Sequence, residues 1–117
     1  MKSMRMFVYA CKGLKAAWKA ERNLRLHAAA TVAVLGCAGY YQVTVAEWCI
    51  LLLCIGGVWV AELLNTAIEK LTDAVFPQQH PKAAFIKDVA AAAVLLMCLM
   101  AAICGVLIFV NYFSATK

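Results

Sequence analysis

Residues 48–73 read WCILLLCIGGVWVAELLNTAIEKLTD, and this stretch decides the fold. From Trp48 to Ala61 it carries no charge, as a helix in apolar surroundings requires. Glu62, Asn65, Glu69 and Asp73 then follow one another at intervals of three or four residues. At about 100° per residue they fall within about an 80° arc, one polar stripe along a hydrophobic helix. Carboxylates in or beside a bilayer are costly and rarely ornamental, so the stripe is a candidate site.

The flanking chain is of the same kind. Hydrophobic residues make up 66% of the 117 and charged residues 15%, far less charge than a soluble domain of this size carries. Residues 89–110 are an unbroken apolar run of 22, enough to cross a hydrocarbon core of ~30 Å. Residues 26–46 carry no charge beyond what His27 can hold, and Tyr40–Tyr41 lies near their end. The prediction is one all-α integral-membrane domain over 1–117. It has an amphipathic surface helix over 1–25 and transmembrane helices over about 26–44, 46–70 and 88–112. No cleaved leader is expected, because the first apolar segment has no short h-region with a cleavage site.

Charge sets the orientation. Lys2, Arg5, Lys12, Lys15, Lys19, Arg22 and Arg25 stand against Glu21 alone before the first span. The loop between the first and second spans holds Glu47 and no Lys or Arg, whereas Lys70, Lys82 and Lys87 lie between the second and third. The N-terminus and second loop are therefore expected in the cytoplasm and the C-terminus outside. The net charge of +5 reflects this asymmetry and contact with anionic headgroups, with no nucleic-acid partner. Residues 4–20 mix Met6, Phe7, Val8, Leu14 and Trp18 with Arg5, Lys12, Lys15 and Lys19, which suits a helix on the membrane surface. Cys11, Cys37, Cys49, Cys54, Cys98 and Cys104 have no CxxC spacing and read as small apolar fillers.

Depth along the second helix concentrates the acids. With Trp48 at the outer surface, a rise of ~1.5 Å per residue puts Glu62 ~21 Å, Glu69 ~31 Å and Asp73 ~37 Å along. Glu62 then lies in the inner leaflet, with Glu69 and Asp73 at or below the cytoplasmic interface. Glu21 and Lys87-Asp88 meet the same level. Carboxylates and an amide facing the cytoplasm suit Mg²⁺, which shares itself with substrate phosphates, while a lysine pairs with phosphate oxygens. A deeper carboxylate can act as general base toward a hydroxyl at the membrane interface. Together these parts suit phosphoryl transfer from a nucleotide to a lipid alcohol. The plainer reading is that interface acids pair with nearby Lys or Arg, but Glu62 and Asn65 have no basic residue in their own span. No Walker A loop is present; Gly56-Gly57 lies mid-span.

The run from Glu62 through Asn65 and Glu69 to Asp73 resembles the signature of the bacterial membrane diacylglycerol kinase and undecaprenol kinase family. Lys87-Asp88 followed by Val-Ala-Ala-Ala-Ala-Val is similar to that family's other cytoplasmic motif. Lys12-Gly13-Leu14 with Trp18, Glu21-Arg22-Asn23 and His27 resembles its N-terminal segment. The likeness covers residues 9–110. It implies a homotrimer with sites shared between subunits, and three short helices are too few to wall so polar a stripe from lipid.

The resemblance also implies roles. Glu62 is the implied general base, and Glu21 and Glu69 the ligands of the divalent metal that accompanies ATP. Asn65 braces that arrangement, and Lys87 meets phosphate oxygens, with Asp73 and Asp88 completing the nucleotide pocket. Tyr9 matches a position against the adenine, and Gln78, Gln79 and His80 match further nucleotide contacts. Trp18, Asn23 and His27 match positions bordering the lipid, with Glu62. Ala84 and Phe85 stand where enterobacterial diacylglycerol kinases carry glycine and arginine, and His27 replaces a carboxylate. The Glu-Arg-Asn…His pattern resembles the undecaprenol kinase branch.

Two other classes fit parts of the pattern. A small ion-coupled transport or channel subunit would use Glu62 as a proton or cation site, but expects its acids nearer mid-bilayer. A scaffold subunit would use the stripe for helix pairing alone. Clustering of the acids at one interface favours the kinase.

Overall fold

A computed structural model describes residues 2–115, which form four helices: α1 (Lys2–Ala20), α2 (Arg22–Tyr41), α3 (Val45–Val75) and α4 (Pro81–Ala115). The expected surface helix breaks earlier than residue 25. Glu21 is extended at φ −117° and ψ 116°, so Arg22 and Arg25 open the helix that carries the first apolar run. The physical reason lies with Arg25. Its guanidinium donates to the carbonyls of Trp18 and Lys19 at 3.3 Å each, groups that a continuing helix would bond to residues 22 and 23. Leu24, fully buried just beyond the break, anchors the start of α2.

At the opposite end of α2 the chain reverses in three residues. Gln42 takes the left-handed conformation at φ 52°, and its N–H reaches back to the last turn. Thr44 then caps α3 in a reciprocal box: its hydroxyl accepts from the Glu47 N–H at 3.1 Å, while the Glu47 carboxylate accepts from the Thr44 N–H at 2.9 Å. The Tyr112 hydroxyl, near the end of α4, also donates to Glu47. A small core closes this end, built on Ala38, Val43, Leu51, Ile108 and Phe109 with Tyr41, Trp48 and Tyr112 packed against it. Glu47, the acid beside the α2–α3 turn, is thus a structural cap.

α3 and α4 form an antiparallel hairpin, and their 31 and 35 residues make them about 46 and 52 Å long. Each outruns the span expected for it, α3 to Val75 and α4 from Pro81. Pro81 occupies the first helical position, where its missing N–H costs nothing. Gly57 permits close approach: a Cβ there would lie 2.7 Å from Cε and 2.9 Å from Sδ of Met97. Among the described residues, α3 and α4 are the two helices long and apolar enough to cross a membrane. Leu53, Leu71, Leu96, Val106 and Leu107 are exposed along them, a surface that water would not tolerate at this extent.

Candidate active site

The polar stripe of α3 faces inward at its deep end and outward toward the α3–α4 turn. Glu62 is 5% exposed and Thr66 8%, whereas Asp73 is exposed. Glu62 finds its partner on α2. Nε2 of His27 lies 3.3 Å from Oε1 of Glu62. Thr66 donates its hydroxyl to the Glu62 carbonyl at 3.0 Å, which satisfies that buried hydroxyl inside its own helix. Glu62 and His27, with Asn23 and Leu26 of α2 and Ala91, Val94 and Leu95 of α4, line a cleft of about 350 Å³. An apolar slot of about 240 Å³ shares His27 and Cys98 with that cleft and continues past Trp59 to Gly105. A buried carboxylate therefore opens onto apolar walls.

One and two turns further along α3, Asn65 donates its amide to Oε1 of Glu69 at 2.8 Å. The other end of that amide, Oδ1 of Asn65, is buried without a protein partner. Glu69 thus takes an amide, and among the described residues no Lys or Arg pairs with it.

Beyond the stripe, Lys87 of α4 pairs with Asp73 of α3. They border a cleft of about 800 Å³ that also takes in Gln78, Gln79 and His80 of the turn. His80 has a structural task there as well. Its Nδ1 accepts from the Lys82 N–H at 3.0 Å, capping α4, and its ring lies 4.9 Å from that of Phe76. The structure therefore puts the two ends of the stripe in separate clefts, Glu62 in an apolar-walled one and Asp73 with Lys87 in another, and the Asn65–Glu69 pair lines neither.

Other expected site residues stand apart within a single chain. Tyr9 lines a shallow groove of α1 with Arg5 and Lys12. Trp18 is 41% exposed, and Asp88 lies outside the lining of the polar cleft. Glu21 sits half-buried at the α1–α2 break without capping α2 through its side chain. Among the described residues no three His, Cys, Asp or Glu side chains converge as a metal cage.

Two residues of this region carried no signal of their own in the sequence. Trp59 donates its indole N–H to the Thr31 hydroxyl at 3.0 Å, and Thr31 donates to the His27 carbonyl at 2.7 Å. Trp59 precedes Glu62 by three residues and Thr31 follows His27 by four, so each pair shares a helix face. That spacing is the only hint, and it needs antiparallel packing of α2 on α3 to be read.

Comparison with known proteins gives a consistent result. A family model described as prokaryotic diacylglycerol kinase matches residues 8–109. Undecaprenol kinase of Bacillus subtilis is 44% identical over 103 residues, covering 88% of this chain and 84% of that protein. Diacylglycerol kinase of Escherichia coli K12 is 30% identical over 106 residues, covering 91% and 87%. Diacylglycerol kinase of a Synechocystis species is 38% identical over 100 residues, covering 85% of this chain and 57% of that one.

Proposed function

The chain belongs to the prokaryotic diacylglycerol kinase family, and from that premise we propose that it moves the γ-phosphoryl group of ATP onto the hydroxyl of a membrane lipid alcohol. The observation that carries this reading is Glu62, a buried carboxylate lining a cleft that adjoins an apolar slot through His27 and Cys98. An acid so placed suits a hydroxyl attached to a long hydrocarbon. Undecaprenol is favoured over diacylglycerol, on the higher identity to an undecaprenol kinase and on the Glu21-Arg22-Asn23…His27 pattern. Family membership leaves the ion-transport reading without support.

In this proposal α2, α3 and α4 cross a bacterial inner membrane, with the α3–α4 turn in the cytoplasm and the C-terminus outside. Three copies associate, covering exposed apolar faces of α3 and α4 and completing sites that one chain leaves open. The separation of Tyr9 and Glu21 from the polar cleft within one chain is what a shared site would produce.

The donor set fits Mg²⁺. Glu69 has a second carboxylate oxygen free of Asn65, Oδ1 of Asn65 is an orphaned buried acceptor, and Glu21 offers a third hard-oxygen group. The lack of an all-protein cage agrees with an ion that takes one or two carboxylates and leaves the rest to phosphate and water. Glu21 and Glu69 would hold it, and when bound it would offset negative charge on the phosphates. Lys87 would exchange Asp73 for phosphate oxygens, and Gln78, Gln79, His80 and Asp88 would border the nucleotide. The chain's own chemistry is then a proton transfer. Glu62 takes the lipid hydroxyl proton as that oxygen bonds to the γ-phosphorus, while the bond to the β,γ-bridging oxygen breaks and ADP leaves.

The test is phosphate transfer from γ-labelled ATP in mixed micelles, with undecaprenol and diacylglycerol in separate reactions, wild type beside Glu62→Gln. A labelled lipid phosphate from wild type alone supports the reading, and the faster lipid names the substrate. No product from folded, oligomeric wild type would overturn it.

A further inference from the structure

We propose that His27 is a positioning residue for Glu62: its imidazole holds one carboxylate oxygen so that the other meets the lipid hydroxyl. This rests on the reading of Glu62 as general base. Three observations carry it. Among the described residues His27 is the one group able to bear a positive charge that touches the Glu62 carboxylate, and that carboxylate has no other hydrogen-bond partner there. A buried carboxylate with a single contact is free to rotate about its last torsion unless that contact holds it.

The backbone that carries the imidazole is braced. Thr31 donates to the His27 carbonyl one turn on, and the same hydroxyl accepts from the Trp59 indole across the helix pair. Trp59 is one turn before Glu62 on α3, so the four residues close a ring between α2 and α3. Finally, the contact is sheltered: the His27 side chain is 23% exposed and that of Glu62 6%. Water competes poorly for this pair, and geometry set there persists.

The consequence is kinetic. A base aimed by a neighbour loses turnover when the neighbour goes, while substrate binding changes little. His27→Leu removes the contact, and His27→Gln keeps a nitrogen donor at a similar reach. With the full-length protein in undecaprenol micelles, His27→Leu is expected to lower kcat on the order of 10- to 100-fold. KM for ATP and for undecaprenol should stay within about twofold, because uniform binding is untouched. His27→Gln should recover most of the loss. On a Glu62→Gln background, His27→Leu should add almost nothing.

A raised KM for undecaprenol with unchanged kcat would make His27 a plain substrate contact and overturn the proposal. So would a full, additive loss on the Glu62→Gln background. Activity surviving in Glu62→Gln would instead sink the assignment of the base, whatever His27 does. A readout free of turnover completes the test. The chain has two histidines, so ¹⁵N-histidine resonances in micelles can be assigned with His80→Ala. The His27 ring signals should move in Glu62→Gln, and unmoved signals would show that the contact is not made.

Discussion

Asn65 holds Glu69 from one turn away, its amide nitrogen 2.8 Å from Oε1, and leaves its own buried oxygen unpaired. The carboxylate fixes which end of the amide faces it, because only the nitrogen can donate. An orphaned buried acceptor costs about 1–3 kcal/mol, so its persistence is a reason to look for a cation or donor arriving with the nucleotide. Asn65→Leu should therefore stabilise the protein or leave it unchanged while raising the Mg²⁺ concentration for half-maximal rate by about tenfold or more. Magnesium titrations of the phosphotransfer rate, beside melting in detergent, check both halves. An unchanged magnesium requirement would detach Asn65 and Glu69 from the metal.

Glu62 and Glu69 lie on one stripe yet should fail in different ways. In the proposed mechanism Glu62→Gln keeps size and burial but removes the base, so nucleotide affinity should stay within about twofold while turnover falls at least 100-fold. Glu69→Gln should weaken nucleotide binding at low magnesium, with part of the rate restored when magnesium is raised. Calorimetric nucleotide titrations of both variants separate the cases. Equal affinity in both would dissolve the division of labour.

Much of this was legible from spacing alone. The three-and-four rhythm of Glu62, Asn65, Glu69 and Asp73 puts them on one helix face whatever packs around it, and the structure keeps them there. Uncharged runs announced α3 and α4 for the same reason. The break at Glu21 was hidden because helix propensity is unremarkable on either side. It depends on Arg25 reaching back to two carbonyls. The pairing of His27 with Glu62 was out of reach, since it joins residues 35 apart through the packing of α2 on α3. The family resemblance implied a place for His27 beside the lipid, and only the fold sets it against Glu62.

Lys87 and Asp73 are paired across the mouth of the polar cleft, with side chains 40% and 59% exposed. An ion pair this exposed contributes about 0–1 kcal/mol, so phosphate oxygens can displace the carboxylate at little cost. Lys87→Met should therefore leave the unfolding midpoint nearly unchanged and raise KM for ATP by about tenfold or more, the loss of one charge-assisted contact. Asp73→Asn should change KM much less, because it also frees Lys87. Initial-rate measurements over a range of ATP decide the matter. A large loss of stability in Lys87→Met with normal KM would make the pair a structural tie.

Gly57 offers a test of how tightly α4 must lie on α3. The atoms that a Cβ would meet, Cε and Sδ of Met97, belong to the flexible end of an unbranched side chain and can swing aside. Gly57→Ala also gains about 0.5–1 kcal/mol of helix preference, so its net effect on stability should be within about 1 kcal/mol of zero. Gly57→Leu cannot be absorbed by one rotamer and should cost about 1–3 kcal/mol by forcing the helices apart. That movement reaches the site, because Ala91, Val94 and Leu95 of α4 wall the cleft in front of Glu62. Turnover should fall with stability in Gly57→Leu, and Met97→Ala in the same chain should restore both by vacating the space. Stability in a denaturing-detergent titration and phosphotransfer rate, measured on the same samples, check the pair. Wild-type stability in Gly57→Leu alone would mean that close contact between α3 and α4 at this level is not required.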